Sequence, residues 1–218
     1  MQHTTLVQFI LPVLAFMILP ISTANANKLY FYARAGQYQE INDNDVTEET
    51  SLKAGGIYLN MTADMGKMWS ERALGDHEFG WSWYIDSYFG GGSGSNGGVF
   101  DFSAQPFGIR GRYNLGGDNL VCFGYSPIEI NLFLPTGTGI GSLFSLSLER
   151  KNLQIHISRY GNGLFLGAFY PDKAMNPSYT ATVQYILRSG LTVGLQAGIL
   201  TGKDMEGFNA MLFGGWVF

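Results

Sequence analysis

The chain has 218 residues, within reach of one domain, and 46% of them are apolar while only 14% are charged, against about a quarter charged in an ordinary soluble domain. That balance argues against a surface that faces water all round. A net charge of −4 with Lys and Arg scattered singly gives no basic footprint for nucleic acid, and the single cysteine, Cys122, excludes an intrachain disulfide.

The amino terminus runs almost wholly apolar from Leu6 to Ile21 and then offers Ala24-Asn25-Ala26, small residues at the two positions that a signal peptidase inspects. The run is short of the ~20 residues that a span needs, and Pro12 and Pro20 interrupt it. Residues 1–26 therefore read as a cleaved signal peptide and residues 27–218 as the mature domain.

From Lys28 to Tyr38 the chain alternates, with Leu29, Phe31, Ala33 and Ala35 on one face and Tyr30, Tyr32, Arg34 and Tyr38 on the other. Period-two alternation between apolar and polar residues is the signature of a strand separating two unlike media. Residues 40–51 read as an acidic loop in water. Alternation returns from Gly55 to Met65 and from Phe79 to Phe89, where Trp81 and Trp83 suit an interfacial aromatic girdle. The segment between them, up to His77, has no clear period.

Gly90 to Gly98 reads as a flexible loop, and its GSGSNG run lacks the following helix that a dinucleotide fingerprint requires. In Val99–Tyr113 the outward set changes from Phe100, Phe102 and Ala104 to Phe107 and Ile109, and Pro106 stands at the change. In Leu120–Leu134 the parity changes again at Pro127. A bulge at each proline explains both, because Pro donates nothing to the ladder and one extra residue exchanges the two faces.

PTGTGIG, residues 135–141, reads as the next turn, and Leu143–Tyr160 as a hairpin turning at Lys151-Asn152. Strands over Ser178–Leu187, Leu191–Leu200 and Phe208–Phe218 complete the chain. The last of these places Phe208, Ala210, Leu212, Gly214, Trp216 and Phe218 on one face. Such an ending, with a terminal Phe and an aromatic two places earlier, resembles the closing strand of small bacterial outer-membrane β-barrel proteins.

That resemblance implies an all-β fold, a single antiparallel transmembrane β-barrel in the outer membrane of a Gram-negative cell. It also implies that Trp216 and Phe218 are an assembly signal, and that the partners are periplasmic chaperones, the barrel-assembly machinery, outer-membrane lipid and lipopolysaccharide. Barrels of this kind have even strand numbers with both termini on the periplasmic side. The segments count to ten if residues 153–170 form one long strand, and eight or twelve stay open.

On the inward faces fall Arg34, Asp64, Asp86, Asp101, Arg110, Arg112 and Glu129, a set of mixed sign that reads as a lumen polar network. Mixed charges in a narrow lumen satisfy one another, which favours a narrow or plugged interior. The preferred function is accordingly a non-enzymatic outer-membrane barrel with a structural or surface-loop role, or a small-solute conduit. No cofactor is called for, and three scattered histidines offer no metal site.

One group of side chains supports an alternative. With the turn at Lys151-Asn152, Ser147 comes opposite His156 and Ser145 opposite Ser158, with Glu149 beside them, so that nucleophile, base and carboxylate lie together. His156-Ile157-Ser158 resembles the His-x-Ser motif of outer-membrane lipid A deacylases, which implies a lipid A-modifying hydrolase using Ser147 or Ser158 with His156 and Glu149. Here Arg159 follows the Ser where that family has Asn, and no acidic residue comes before Asp172. Asp86-Ser87 resembles the Asp-Ser of the lipid A palmitoyltransferases, although parity turns Ser87 to lipid. A secreted, aromatic-rich sugar-binding sandwich is the remaining reading.

Overall fold

The period-two segments become ten antiparallel strands closed on themselves. The computed structural model describes residues 24–42, 45–63, 74–95, 97–134, 137–161, 178–187, 190–201 and 205–217. The strands are β1 (Ala24–Asn42), β2 (Asp45–Ala63), β3 (Phe79–Gly94), β4 (Gly97–Gly116), β5 (Asn119–Leu134), β6 (Gly137–Arg150), β7 (Leu153–Gly161), β8 (Ser178–Ile186), β9 (Leu191–Thr201) and β10 (Met205–Val217). Each pairs with the next, and β1 closes on β10 through Lys28 opposite Val217 and Arg34 opposite Met211. Closure leaves no free sheet edge. An even strand number brings the start of β1 and the end of β10 to one rim.

Three expectations change. The stretch 40–51 is not a loop: β1 and β2 stay paired up to Asn42 opposite Asp45, so the acidic segment prolongs a hairpin. Gly90–Gly98 is largely strand as well, with Gly90 opposite Asp101 and Gly94 opposite Gly97. The PTGTGIG turn shrinks likewise, because Gly137 already pairs with Phe133. Gly and acidic residues are depleted in strands by propensity, but in a closed barrel ladder pairing carries them as strand. Ten strands are reached with β7 ending at Gly161, and the expected continuation to 170 lies outside the described residues, as do residues 1–23; β1 begins at Ala24.

Both proline bulges are present. The β4–β5 register shifts between Ala104 and Ile109 around Pro106, and the β5–β6 register shifts between Ser126 and Glu129 around Pro127. At the rim that bears the termini the β4–β5 and β6–β7 turns are tight. Gly116, Gly117, Asp118 and Lys151 have positive φ there, the backbone that a two-residue hairpin needs for its twist to match the strands.

The outer wall is apolar and bare. Phe31, Leu59, Leu195 and Leu212 are about half exposed, as are Ile57, Ile155 and Ile157. At the rim of the termini Phe79, Trp81 and Phe123 cluster with ring centroids 4.7 to 6.0 Å apart, and Trp216 stands exposed on β10. Near the opposite rim Gln37, Lys53 and Arg159 are among the outward polar residues, and Arg159 lies 5.9 Å from the Tyr179 ring centre. An apolar belt between an aromatic girdle and a polar margin is the exterior of a membrane-spanning barrel.

Glycines place large rings inside. A Cβ at Gly108 would come 2.3 Å from the Tyr84 ring, whereas one at Gly98 would meet nothing within 4 Å. Gly108→Val is expected to cost about 1–3 kcal/mol through overpacking, read by denaturant unfolding of the membrane-inserted protein. Gly98→Ala should leave the midpoint where it is.

Candidate functional site

Ten strands give a lumen wider than the eight-stranded case that side chains just fill, and far short of the roughly sixteen that leave an open aqueous channel. The interior accordingly holds a cavity of about 510 Å³. Its lining runs along β1 from Lys28 to Tyr38, ten residues apart. At ~3.3 Å per residue and a tilt near 40° that is about 25 Å, the height of the apolar belt of such barrels.

The two walls of this cavity differ. On β1 to β3 tyrosines form a row: Tyr30 stacks on Tyr58 with centroids 5.4 Å apart, and Tyr58 lies 4.6 Å from Tyr88. They are direct neighbours across the ladder. On β6 to β9 the wall is mostly hydroxyl and amide, with Ser145, Ser158, Thr180, Thr182 and Gln196, and Glu149 and His156 are its ionisable members.

The aromatic wall carries the central ion pair. Tyr32 Oη donates to Asp101 Oδ2 at 2.9 Å, and Arg34 Nη1 donates to Asp101 Oδ1 at 3.1 Å. These side chains come from β1 and β4, with two strands between them. They meet because the intervening inward positions are Gly56 and Gly90. A Cβ at Gly90 would stand 2.4 Å from Tyr32 Oη, so this glycine, expected in a loop, clears the path of the bridge together with Gly56.

The other charged residues of the predicted lumen network fall as follows. Asp86 accepts from Tyr58 Oη at 3.0 Å and from Asn60 Nδ2. Glu129 accepts from Ser103 Oγ at 2.8 Å. The Arg110 guanidinium lies 5.0 Å from the Tyr84 ring centre. Arg112 sits opposite Cys122 on the inward face, and Cys122 Sγ is 3.5 Å from Glu149 Oε1. Asp64 lies outside the described residues. Asn60, Ser103, Gln105 and the tyrosines join the site beyond the charged network expected from the sequence, and the parity of their strands is the signal that places them inside.

Ser147 stands opposite His156 and Ser145 opposite Ser158. Ser158 Oγ and Thr180 Oγ1 are 2.6 Å apart. All of these residues line the interior cavity, so the wall separates them from lipid. Ser87 is buried and is not part of the lining. Trp216 faces outward, and Phe218 lies outside the described residues. Among the described residues no three His, Cys, Asp or Glu side chains come together as a metal site.

Four buried polar atoms of the chain have no hydrogen-bond partner among the described residues: Tyr30 Oη, Arg34 Nε, Gln105 Oε1 and Glu129 Oε2. All four residues line the cavity. Unsatisfied buried atoms call for a partner, which in a polar cavity is water, an ion or a solute.

No protein-family model matches the chain, and no curated protein matches it in sequence. Among solved structures it is similar to an outer-membrane channel from Pseudomonas putida F1, at 11% identity and a TM-score of 0.49, over 90% of this chain and 96% of that one. It is also similar to the translocator domain of the autotransporter NalP from Neisseria meningitidis, at 9% identity and a TM-score of 0.42, over 99% and 98% of the two chains. A third is the KdgM porin, at 11% identity and a TM-score of 0.37, over 88% and 99%. The chain resembles small outer-membrane β-barrels as a class, and its own closure and apolar belt make it a membrane β-barrel.

Proposed function

We propose that the protein is a narrow conduit for small polar solutes through the outer membrane of a Gram-negative cell. The observation that carries this reading is the lumen cavity, lined with polar groups along the full height of the apolar belt. Its roughly 510 Å³ extends over about 25 Å, the shape of a narrow passage along the barrel axis.

On this reading residues 1–26 direct export and are removed, periplasmic chaperones and the assembly machinery receive the closing strand, and lipid and lipopolysaccharide surround the apolar belt. The hydrolase reading is weaker, since Ser147, Ser158 and His156 face the cavity and not the leaflet that holds lipid A esters. Planar-bilayer recording tests the conduit: the purified barrel should give small, discrete, stable conductance steps. Silent bilayers would leave a plugged structural barrel.

A further inference from the structure

We propose that the lumen holds a small-cation station between Gln105 and Glu129. It deepens the conduit reading and rests on it for transport, although not for binding. The two residues are brought together by the proline bulge. Ser103 and Ala104 pair with Asn131 and Ile130, the register then slips, and Phe107 pairs with Ile128. Gln105 and Pro106 together therefore oppose Glu129, and both Gln105 and Glu129 turn inward. On the other side Gln105 pairs with Asp86, so three acceptor-bearing residues stand in a row on β3, β4 and β5.

These residues are unequally supplied with donors. Asp86 is met by Tyr58 and Asn60, and one oxygen of Glu129 is met by Ser103. The second, Glu129 Oε2, and its neighbour Gln105 Oε1 have no donor among the described residues. Gln105 is 5% and Glu129 6% exposed, and both line the cavity.

A buried carboxylate oxygen without a donor is expensive, and an amide oxygen beside it adds to the same negative potential. A water can donate to both oxygens, but a positive charge on the lumen side of the bulge also offsets the charge of the carboxylate. The chain's own lumen cations leave these oxygens without a donor: Arg34 is paired with Asp101, and although its charge also acts on Glu129 it gives Glu129 Oε2 no hydrogen bond; Arg110 lies against the Tyr84 ring, Arg112 stands further along β4 opposite Cys122, and Lys28 belongs to β1, three strands from Gln105. An alkali cation suits oxygen donors of this kind. A passing cation would also meet the faces of the tyrosine row, which attract positive charge.

The test uses sodium ion and the full barrel folded in detergent. Thermal unfolding is compared in sodium chloride and in choline chloride at equal ionic strength, for the wild type, Glu129→Gln and the exposed control Glu206→Gln. A ligand that binds only the folded state raises the midpoint with its concentration. Sodium should raise it saturably in the wild type and in Glu206→Gln, and the shift should be lost in Glu129→Gln. The proposal is overturned if the wild type shows no sodium-dependent shift, or if Glu129→Gln keeps it. It is equally overturned if a protonated-carboxyl infrared band disappears in Glu129→Gln, since a proton then bridges the two oxygens. In bilayers the cation-over-anion preference should fall in Glu129→Gln; silent bilayers would remove the conduit and leave the unfolding result to decide the station.

Discussion

Leu212→Arg is expected to destabilise the membrane-inserted barrel by about 2–4 kcal/mol, the cost of a guanidinium at the mid-depth of a lipid-facing wall. Leu212 is the most exposed of the large apolar side chains, at 64%, and it stands opposite Leu195 on β9 and Ala33 on β1. Those pairs lie midway between the aromatic girdle at Trp216 and the polar margin at Gln37. Denaturant titration in lipid vesicles reads the change. Gln196→Arg, one strand away and facing the lumen, should cost much less, because the same charge then enters a polar cavity. Equal costs for the two variants would mean that the apolar face does not meet lipid.

Asp101→Ala is expected to cost about 3 kcal/mol, at the lower end of the range for breaking a buried ion pair because Arg34 keeps 15% of its side-chain surface. The loss is large because Asp101 is the common acceptor of Arg34 and Tyr32, so two donors from β1 lose their partner at once. Asp101→Asn should lose less, since the amide oxygen still accepts from one of them. Urea unfolding of the two variants in vesicles measures the difference. An Asp101→Ala midpoint at the wild-type value would show that the bridge across Gly56 and Gly90 is not a fastener of the lumen.

Much of this fold was legible because a barrel wall alternates between lipid and lumen, and alternation survives in a single sequence. The faces of Lys28–Tyr38, the inward Ser147 and His156, and the parity changes at Pro106 and Pro127 all follow from period two. What was not legible is where strands stop. Gly90 to Gly94 and the acidic residues after Gln39 look like loop by propensity, but strand length in a closed barrel is set by pairing with neighbours already extended. The bridge from Tyr32 and Arg34 to Asp101 was hidden for a related reason: it crosses two strands, and its enabling residues, Gly56 and Gly90, carry no side chain to announce a role. Gln105 and Glu129 were visible as inward polar residues, yet their juxtaposition depends on how many residues the Pro106 bulge inserts.

The central claim, a polar passage through a membrane barrel, is tested most directly by planar-bilayer recording of the full wild-type protein. Small, discrete and stable conductance steps in simple salt are the predicted result. Bilayers that stay silent while vesicle assays show the barrel inserted and folded would contradict it.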